Sequence, residues 1–203
     1  MQQLSFFADE GQSAGLPKEV LDYRPGLFNE KESSQYLETF ISTVPWEQKV
    51  ITLYDKQVVT PRLTAWFGDI NKNYAYSGSS FHPLPWTEEL LEIKARIEPI
   101  AGTQFNSVLL NYYRDGNDSV AWHSDNEREL GQQPLIASVS FGQVRKFDIR
   151  HKQDHKRQYS VKLENGSLLL MKGELQQNWE HRIAKSTLPM QARVNLTFRI
   201  IKR

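Results

Sequence analysis

No cysteine occurs among the 203 residues, which excludes disulfide staples, thiolate metal sites and thiol nucleophiles and removes any sign of a secretory history. Any metal must therefore be held by nitrogen and oxygen. Charge of one sign is lacking too: 25 Lys and Arg stand against 24 Asp and Glu, a formal net charge of +1, so bulk charge alone does not announce a polyanionic partner. No apolar run approaches the roughly 18 residues that a membrane-spanning helix needs, and the N-terminus lacks the basic, apolar and small-residue order of a signal peptide. Neither an internal repeat nor a low-complexity tract is present. A soluble, cytoplasmic, monomeric protein is the expectation.

What the chain has is enough length to bury most of its unfolded surface around one core, so one domain is expected. Residues Ala8 to Lys18 are rich in Gly, Ser, Ala and charge and too poor in apolar residues to pack. Residues 1–18 are read as a flexible tether and residues 19–203 as the folded domain. From Asn29 the pattern turns helical, with Asn29 and Glu32 placed as a capping box and Tyr36, Leu37, Phe40, Ile41 and Val44 on one stripe before Pro45. A second helix is expected to begin at Thr87 and to bury Leu90, Leu91, Ile93, Ile97 and Ile100 before Gly102. Beyond Gly102 the period falls to 2, and runs such as SVLLNYY, LIASVSFG, KFDIR, SLLLMKG and RVNLTFRII alternate with turn residues. Helices first and short strands after predict an α+β, mainly β, fold in which helices cover one face of antiparallel sheets.

Three polar sets in the strand-rich half converge on chemistry. His123 and Asp125 stand two positions apart, a spacing that turns both side chains to one side of an extended segment. His181 lies 56 positions beyond Asp125, and two histidines with one carboxylate leave coordination positions open, as on a non-haem iron. In RVNLTFRI, Arg193, Asn195, Thr197 and Arg199 alternate with Val194, Leu196, Phe198 and Ile200. Arginines on the inner face of a strand need anionic partners, and a dicarboxylate would supply them. Asn111 and Tyr113 share a face of SVLLNYY with Leu109, adding an amide and a phenol. Each set alone has an ordinary reading: a surface His–Asp pair, the solvated face of an edge strand, and plain strand packing. It is their combination that points to a site.

Together, HSDNE at 123–127, the distant His181, NYYRDG at 111–116 and RVNLTFR at 193–199 resemble the AlkB family of Fe(II)- and 2-oxoglutarate-dependent dioxygenases. The resemblance runs from about Pro61 to the C-terminus, and four motifs in order are far more specific than HxD alone. It implies a double-stranded β-helix, or jelly roll, with flanking helices, and Fe(II) held by His123, Asp125 and His181. It also implies that Arg193 and Tyr113 bind the distal carboxylate of 2-oxoglutarate, and that Arg199, with Asn111 and Asn195, secures the end chelated to iron. The implied reaction uses O2 and 2-oxoglutarate, yields succinate and CO2, hydroxylates an N-alkyl carbon of a base in DNA and releases formaldehyde. A demethylase of RNA or protein, and a nucleic-acid-binding relative without catalysis, are the alternatives.

An enzyme acting on a base edge must take the base out of the stack and grip phosphates. The segment PRLTAWFGDINKNYAYSG resembles the family's substrate lid, with Arg62, Tyr74 and Tyr76 at positions associated with the flipped base. Residues 145–157 carry six Lys or Arg against two Asp, a local charge of about +4, and Arg150, His151 and Lys152 are the expected phosphate contacts. A solvated hairpin is the plainer alternative. His151 with His155 lacks the further ligands a zinc site needs, and His82 carries no signal. Many relatives have an acidic residue immediately after the metal-binding aspartate; here Asn126 stands there, followed by Glu127, which puts the preference for cationic 1-methyladenine and 3-methylcytosine in question. Both residues are candidate base contacts. Tyr54 is a candidate wedge for the gap left by flipping. Gln3 to Phe7, QLSFF, resembles the short peptide by which bacterial repair proteins dock on the sliding clamp, although Leu4, Phe6 and Phe7 would equally suit a strand packed on the domain.

Overall fold

The computed structural model describes residues 17–53, 56–69, 74–76, 79–81 and 83–202, with backbone alone at 51–53, 56, 74–76 and 79–81. The first part of the chain forms β1 (Leu21–Arg24), α1 (Glu30–Thr43), β2 (Val50–Leu53), β3 (Lys56–Val59), β4 (Leu63–Gly68), β5 (Tyr74–Tyr76), β6 (Ser79–Phe81) and α2 (Glu88–Ala101). The second part forms β7 (Ser107–Tyr113), β8 (Val120–His123), β9 (Ile136–Gly142), β10 (Arg145–His151), β11 (Gln158–Leu163), β12 (Ser167–Met171), α3 (Leu175–Asn178), β13 (Trp179–Ile183) and β14 (Arg193–Arg199). A six-stranded antiparallel sheet runs in the order β1-β12-β9-β14-β7-β4, and a four-stranded one in the order β11-β10-β13-β8. The pairs β2–β3 and β5–β6 are separate hairpins. The division into helices first and strands after is therefore corrected: β1 and β4, both from the first half, form the two edges of the large sheet. Among the described residues no helix is long and apolar enough to cross a membrane.

Both expected helices form for the expected reasons. Asn29 Oδ1 accepts from Glu32 N at 2.9 Å while Glu32 Oε2 accepts from Asn29 N at 2.8 Å, completing the capping box of α1. Pro45 disfavours a helical conformation at the residue before it, and Val44 is extended. Thr87 caps α2, and Gly102, at φ +67°, closes it in the left-handed region. One expectation fails here. Leu91 is 45% exposed, because the buried stripe of α2 runs through Leu90, Ile93 and Ile97, and one helical step rotates Leu91 off it.

Two apolar layers result. Phe40, Leu90, Ile93 and Ile97 from the helices pack against Val108, Leu110, Val194, Leu196 and Phe198 on one face of the large sheet, each contributing about 1.5–3 kcal/mol when fully buried. Between the sheets, Leu169 and Met171 meet Phe147, Ile149, Val161 and Trp179. Beside this second layer, also between the sheets, lies a cavity of about 720 Å3.

Candidate metal and anion site

Strand alternation and register bring the first two ligands together. His123 ends β8 and His181 lies mid-way along β13, and the two are paired directly across the ladder, with ring centroids 4.3 Å apart. Asp125 lies two residues beyond the end of β8, outside any ladder. Its placement therefore does not follow from strand alternation as the i, i+2 spacing suggested. Instead Ser124 Oγ donates to the Trp179 carbonyl at 2.8 Å and the Asp125 N–H donates to Gln176 Oε1 at 2.9 Å. One ligand atom from each of His123, Asp125 and His181 falls within 4.8 Å of the others. His123 Nδ1 lies 2.8 Å from the Ala121 carbonyl, an acceptor that fixes the proton on Nδ1 and leaves Nε2 facing Asp125 Oδ1 at 3.7 Å.

The electrostatics prepares these groups for a cation. Burial pushes His181 down to about 3, with His123 adding to the effect, so its imidazole is neutral at physiological pH and its lone pair is available. Burial works against the charge on Asp125, but the Arg199 guanidinium, His181 and His123 together outweigh it and hold the carboxyl below its ordinary range. Phe147 stacks on His181, with centroids 5.0 Å apart. Two nitrogens and a carboxylate oxygen with open positions beside them suit non-haem iron(II).

The second element is β14, which lies between β9 and β7 in the middle of the large sheet, so its polar face is not the solvated side of an edge strand. Arg193 is 1% exposed. Its Nη2 donates to Ser140 Oγ at 3.0 Å and its guanidinium lies 5.0 Å from the Tyr113 ring centroid, but Nε and Nη1 are buried without a hydrogen-bond partner. Burial pulls its pKa down to about 10, against the opposing pull of Tyr113, and it stays charged at neutral pH. A buried cation with two unused donors fits an anionic ligand such as the distal carboxylate of a dicarboxylate. Arg199 already has carboxylates of the protein itself, with Asp125 Oδ2 at 3.1 Å and Glu127 Oε1 at 3.7 Å, so a dicarboxylate is not needed to neutralise both arginines. Asn195 Nδ2 donates to Ser138 Oγ at 2.8 Å and to the Val139 carbonyl at 2.9 Å, and Thr197 Oγ1 donates to Asn195 Oδ1 at 3.2 Å. Asn111 Oδ1 accepts from Arg62 Nε at 2.7 Å.

The three metal-ligand candidates, Arg193, Asn195, Thr197 and Arg199 of β14, and Asn111, Tyr113 and Arg62 line the same cavity, as does Glu127, whose Oε2 is buried without a partner. Asn126, Arg150, His151 and Lys152, also expected as substrate contacts, are not on its lining. Asn126 is exposed and away from the cavity wall. Arg150 pairs with Glu180 and lies 4.2 Å over Trp122, on which Arg182 also packs at 4.5 Å. His151 Nδ1 accepts from Gln153 N and Asp154 N at 3.3 and 3.2 Å, and Lys152 Nζ donates to the Gln176 and Gln177 carbonyls, each at 2.9 Å. The basic run that stood out by charge density thus has Arg150 paired across the small sheet, His151 in the turn that follows β10 and Lys152 bonded to carbonyls of α3. Tyr74 and Tyr76 belong to β5, with backbone alone described; Tyr54, His82 and Gln3–Phe7 lie outside the described residues. Sequence reasoning missed Ser138 and Ser140, which the period-2 alternation of IASVSFG places opposite Thr197 and Asn195. It also missed Phe147, which the alternation of KFDIR places on a face with Ile149, and Gln176, which carried no such signal.

Comparison with known proteins agrees with this geometry. The family model of the 2OG-Fe(II) oxygenase superfamily matches residues 21–199. The chain is 41% identical over 186 residues to "Alpha-ketoglutarate-dependent dioxygenase alkB homolog 3" of Rattus norvegicus, covering 87% of this chain and 62% of that one. It is 35% identical over 178 residues to "DNA oxidative demethylase ALKBH2" of Mus musculus, covering 84% and 73%. The chain thus spans less than two thirds of the length of the rat relative. "The structure of OsALKBH1" superposes with a TM-score of 0.64 at 16% identity over 89% of this chain and 97% of that one, which identifies the two facing sheets as a double-stranded β-helix. With the matched region spanning both sheets and containing all three metal-ligand candidates and Arg193, the chain belongs to the AlkB family of the 2OG-Fe(II) oxygenase superfamily.

Proposed function

We propose that the protein removes alkyl groups oxidatively from bases in DNA, of the 1-methyladenine and 3-methylcytosine type, working as a cytoplasmic monomer. The observation that carries the reading is the convergence on one cavity of the His123, Asp125 and His181 ligand atoms with the two unused donors of Arg193. His123, Asp125 and His181 would hold Fe(II), and Arg193 with Tyr113 would bind the distal carboxylate of 2-oxoglutarate. The chemistry these supply when bound is O2-dependent hydroxylation coupled to decarboxylation of 2-oxoglutarate to succinate and CO2. A C–H bond of the N-alkyl carbon becomes C–OH; the C–N bond then breaks, the carbon leaves as formaldehyde and the hydroxyl proton returns to the base. Arg199 holds Asp125 in place, Asn111 and Arg62 form one wall, and Glu127 Oε2 would accept an N–H of the base. DNA is favoured over RNA and protein by the name of the mouse relative, a DNA oxidative demethylase.

The test is formaldehyde release from methylated DNA, methylated RNA and methylated peptide with iron and 2-oxoglutarate supplied. A strong preference for DNA is expected, and turnover of peptide alone would sink the proposal. We further propose that residues 1–18 form a tether, with Gln3–Phe7 docking on a sliding clamp, and that residues 19–203 are the dioxygenase domain. Deleting Gln3–Phe7 should abolish clamp binding and spare turnover of free oligonucleotides; unchanged clamp binding ends that part of the proposal.

A further inference from the structure

Of the three metal ligands, Asp125 has the least support from secondary structure. β8 stops at His123, so the Asp125 N–H has no ladder partner, although the residue is 4% exposed. A buried N–H needs an acceptor, and here it is a side chain 51 positions away in sequence. Gln176 in α3 is 1% exposed and its Oε1 accepts from the Asp125 N–H at 2.9 Å. Which end of the amide faces Asp125 is fixed by the other contact: Nε2 lies 3.7 Å from the Met171 Sδ, and a thioether accepts but cannot donate. The oxygen is left for Asp125.

Gln176 is itself held from three sides. Its neighbour Leu175 is fully buried in the core between the sheets. Lys152 Nζ binds the Gln176 and Gln177 carbonyls, and Trp179, which opens β13, takes the Ser124 hydroxyl on its carbonyl at 2.8 Å. The segment that runs from α3 into the His181 strand therefore grips residues 124 and 125, referencing the carboxylate to the strand that carries one of the two imidazoles.

We propose that Gln176 is a positioning residue for the metal centre, fixing the backbone at Asp125 so that the carboxylate meets the imidazoles of His123 and His181. The proposal rests on the reading of those three residues as an iron site. Outer partners that orient metal ligands typically set metal affinity by 10- to 100-fold, so the effect belongs in metal binding and not in stability alone.

The experiment compares Fe(II) affinity under anaerobic conditions, by equilibrium dialysis of the full chain, for wild type, Gln176→Met, Met171→Leu and His181→Ala. Gln176→Met keeps an unbranched side chain of similar length and removes the amide; its Fe(II) Kd should rise roughly 10- to 100-fold. Hydrogen exchange at the Asp125 amide should accelerate in the same variant, and 2-oxoglutarate affinity at saturating metal should be unchanged. Met171→Leu keeps apolar volume and removes the acceptor that orients the amide; its Fe(II) Kd should rise by less, and it carries the test if Gln176→Met does not fold. A wild-type Fe(II) Kd in either folded variant, whatever its melting temperature, overturns the proposal and leaves Gln176 a packing residue. Equal Fe(II) binding by wild type and His181→Ala would instead sink the iron-site reading on which it rests.

Discussion

Replacing Arg193 with Met separates a binding role from a structural one. Burial lowers the Arg193 pKa from its ordinary value to about 10, which corresponds to a penalty of about 3 kcal/mol on the charged form. Because a cation with a lowered folded-state pKa binds its proton less tightly when folded, this cost is fully present below about pH 10 and fades only as pH climbs beyond that towards the ordinary arginine range. It is therefore constant across the neutral range. Removing the charge relieves that penalty, while the lost Ser140 hydrogen bond and Tyr113 contact subtract about 1 and up to about 2 kcal/mol. The ligand-free variant should thus stay within about 1 kcal/mol of wild type, a melting shift of about 2–4 °C. Binding of 2-oxoglutarate should suffer far more. Truncating one partner of a buried charge pair costs about 2–5 kcal/mol, or about 30- to 4,000-fold in Kd. Calorimetric titration with 2-oxoglutarate, alongside thermal melts with and without it, reads both effects. At 100 times its Kd the cosubstrate should stabilise wild type by about 2.7 kcal/mol, and at the same concentration the variant should gain little. Wild-type affinity in Arg193→Met, or a ligand-free melting point lowered by more than about 10 °C, would refute the reasoning.

Other substitutions test the frame around the site. Arg145 is 3% exposed and donates to the carbonyls of Asp115, Asp118 and Ala184; Arg145→Met should cost about 3 kcal/mol, a melting point lower by about 6–12 °C, and a fall under about 2 °C would show those bonds to be dispensable. Gly166 sits at φ +71°, where a Cβ would collide with the Phe28 carbonyl oxygen and come within 2.5 Å of Ser33 Oγ; Gly166→Ala should lower stability by at least about 2 kcal/mol in a denaturant titration, and an unchanged midpoint would contradict the steric argument. Arg150 and Arg182 both pack on Trp122, on a strand paired to β13 at only two positions. Trp122→Leu should cost about 1–2 kcal/mol and speed hydrogen exchange across β8, and unaltered protection of the His123 amide would argue that these contacts are incidental.

The site was legible in the sequence where chemistry and period coincide. His123 and His181 have few uses as a pair beyond binding, and the alternation of RVNLTFR by itself places Arg193 and Arg199 on the face opposite Val194, Leu196 and Phe198. The caps of both helices were legible for the same reason, since Asn29, Glu32, Thr87 and Gly102 act through local backbone groups. What stayed hidden depends on distant partners. Gln176 is a neutral amide in an unremarkable segment, and nothing nearby in sequence says that its oxygen meets Asp125. Arg150 stands out as a candidate phosphate contact because charge density is visible in sequence, whereas its pairing with Glu180 across the sheet is not. β1 and β4 escaped because LDYR and LTAWFG are too short for a decisive period, and register with β12 and β7 is what makes them edges of the large sheet.

The charges of the cavity explain why these parts belong to one machine. On β14 and the segment after β8 the wall carries the carboxylates of Asp125 and Glu127 and the guanidiniums of Arg193 and Arg199, with Lys49, Arg62, Arg182 and Lys185 elsewhere on the lining. A charge brought between the sheets is costly where it lacks a partner. On the proposed reading a divalent cation would find its anion in Asp125 and a dicarboxylate its cation in Arg193, so the two ligands would carry opposite charges into one cavity. The pairing of Arg199 with Asp125 at 3.1 Å is what allows this: it keeps a buried carboxylate ionised before metal arrives, and leaves Arg193 as the buried cation that looks to the ligand for its anion. On that reading metal and cosubstrate would lower each other's cost of entry, through Asp125 on the segment after β8 and the two arginines of β14.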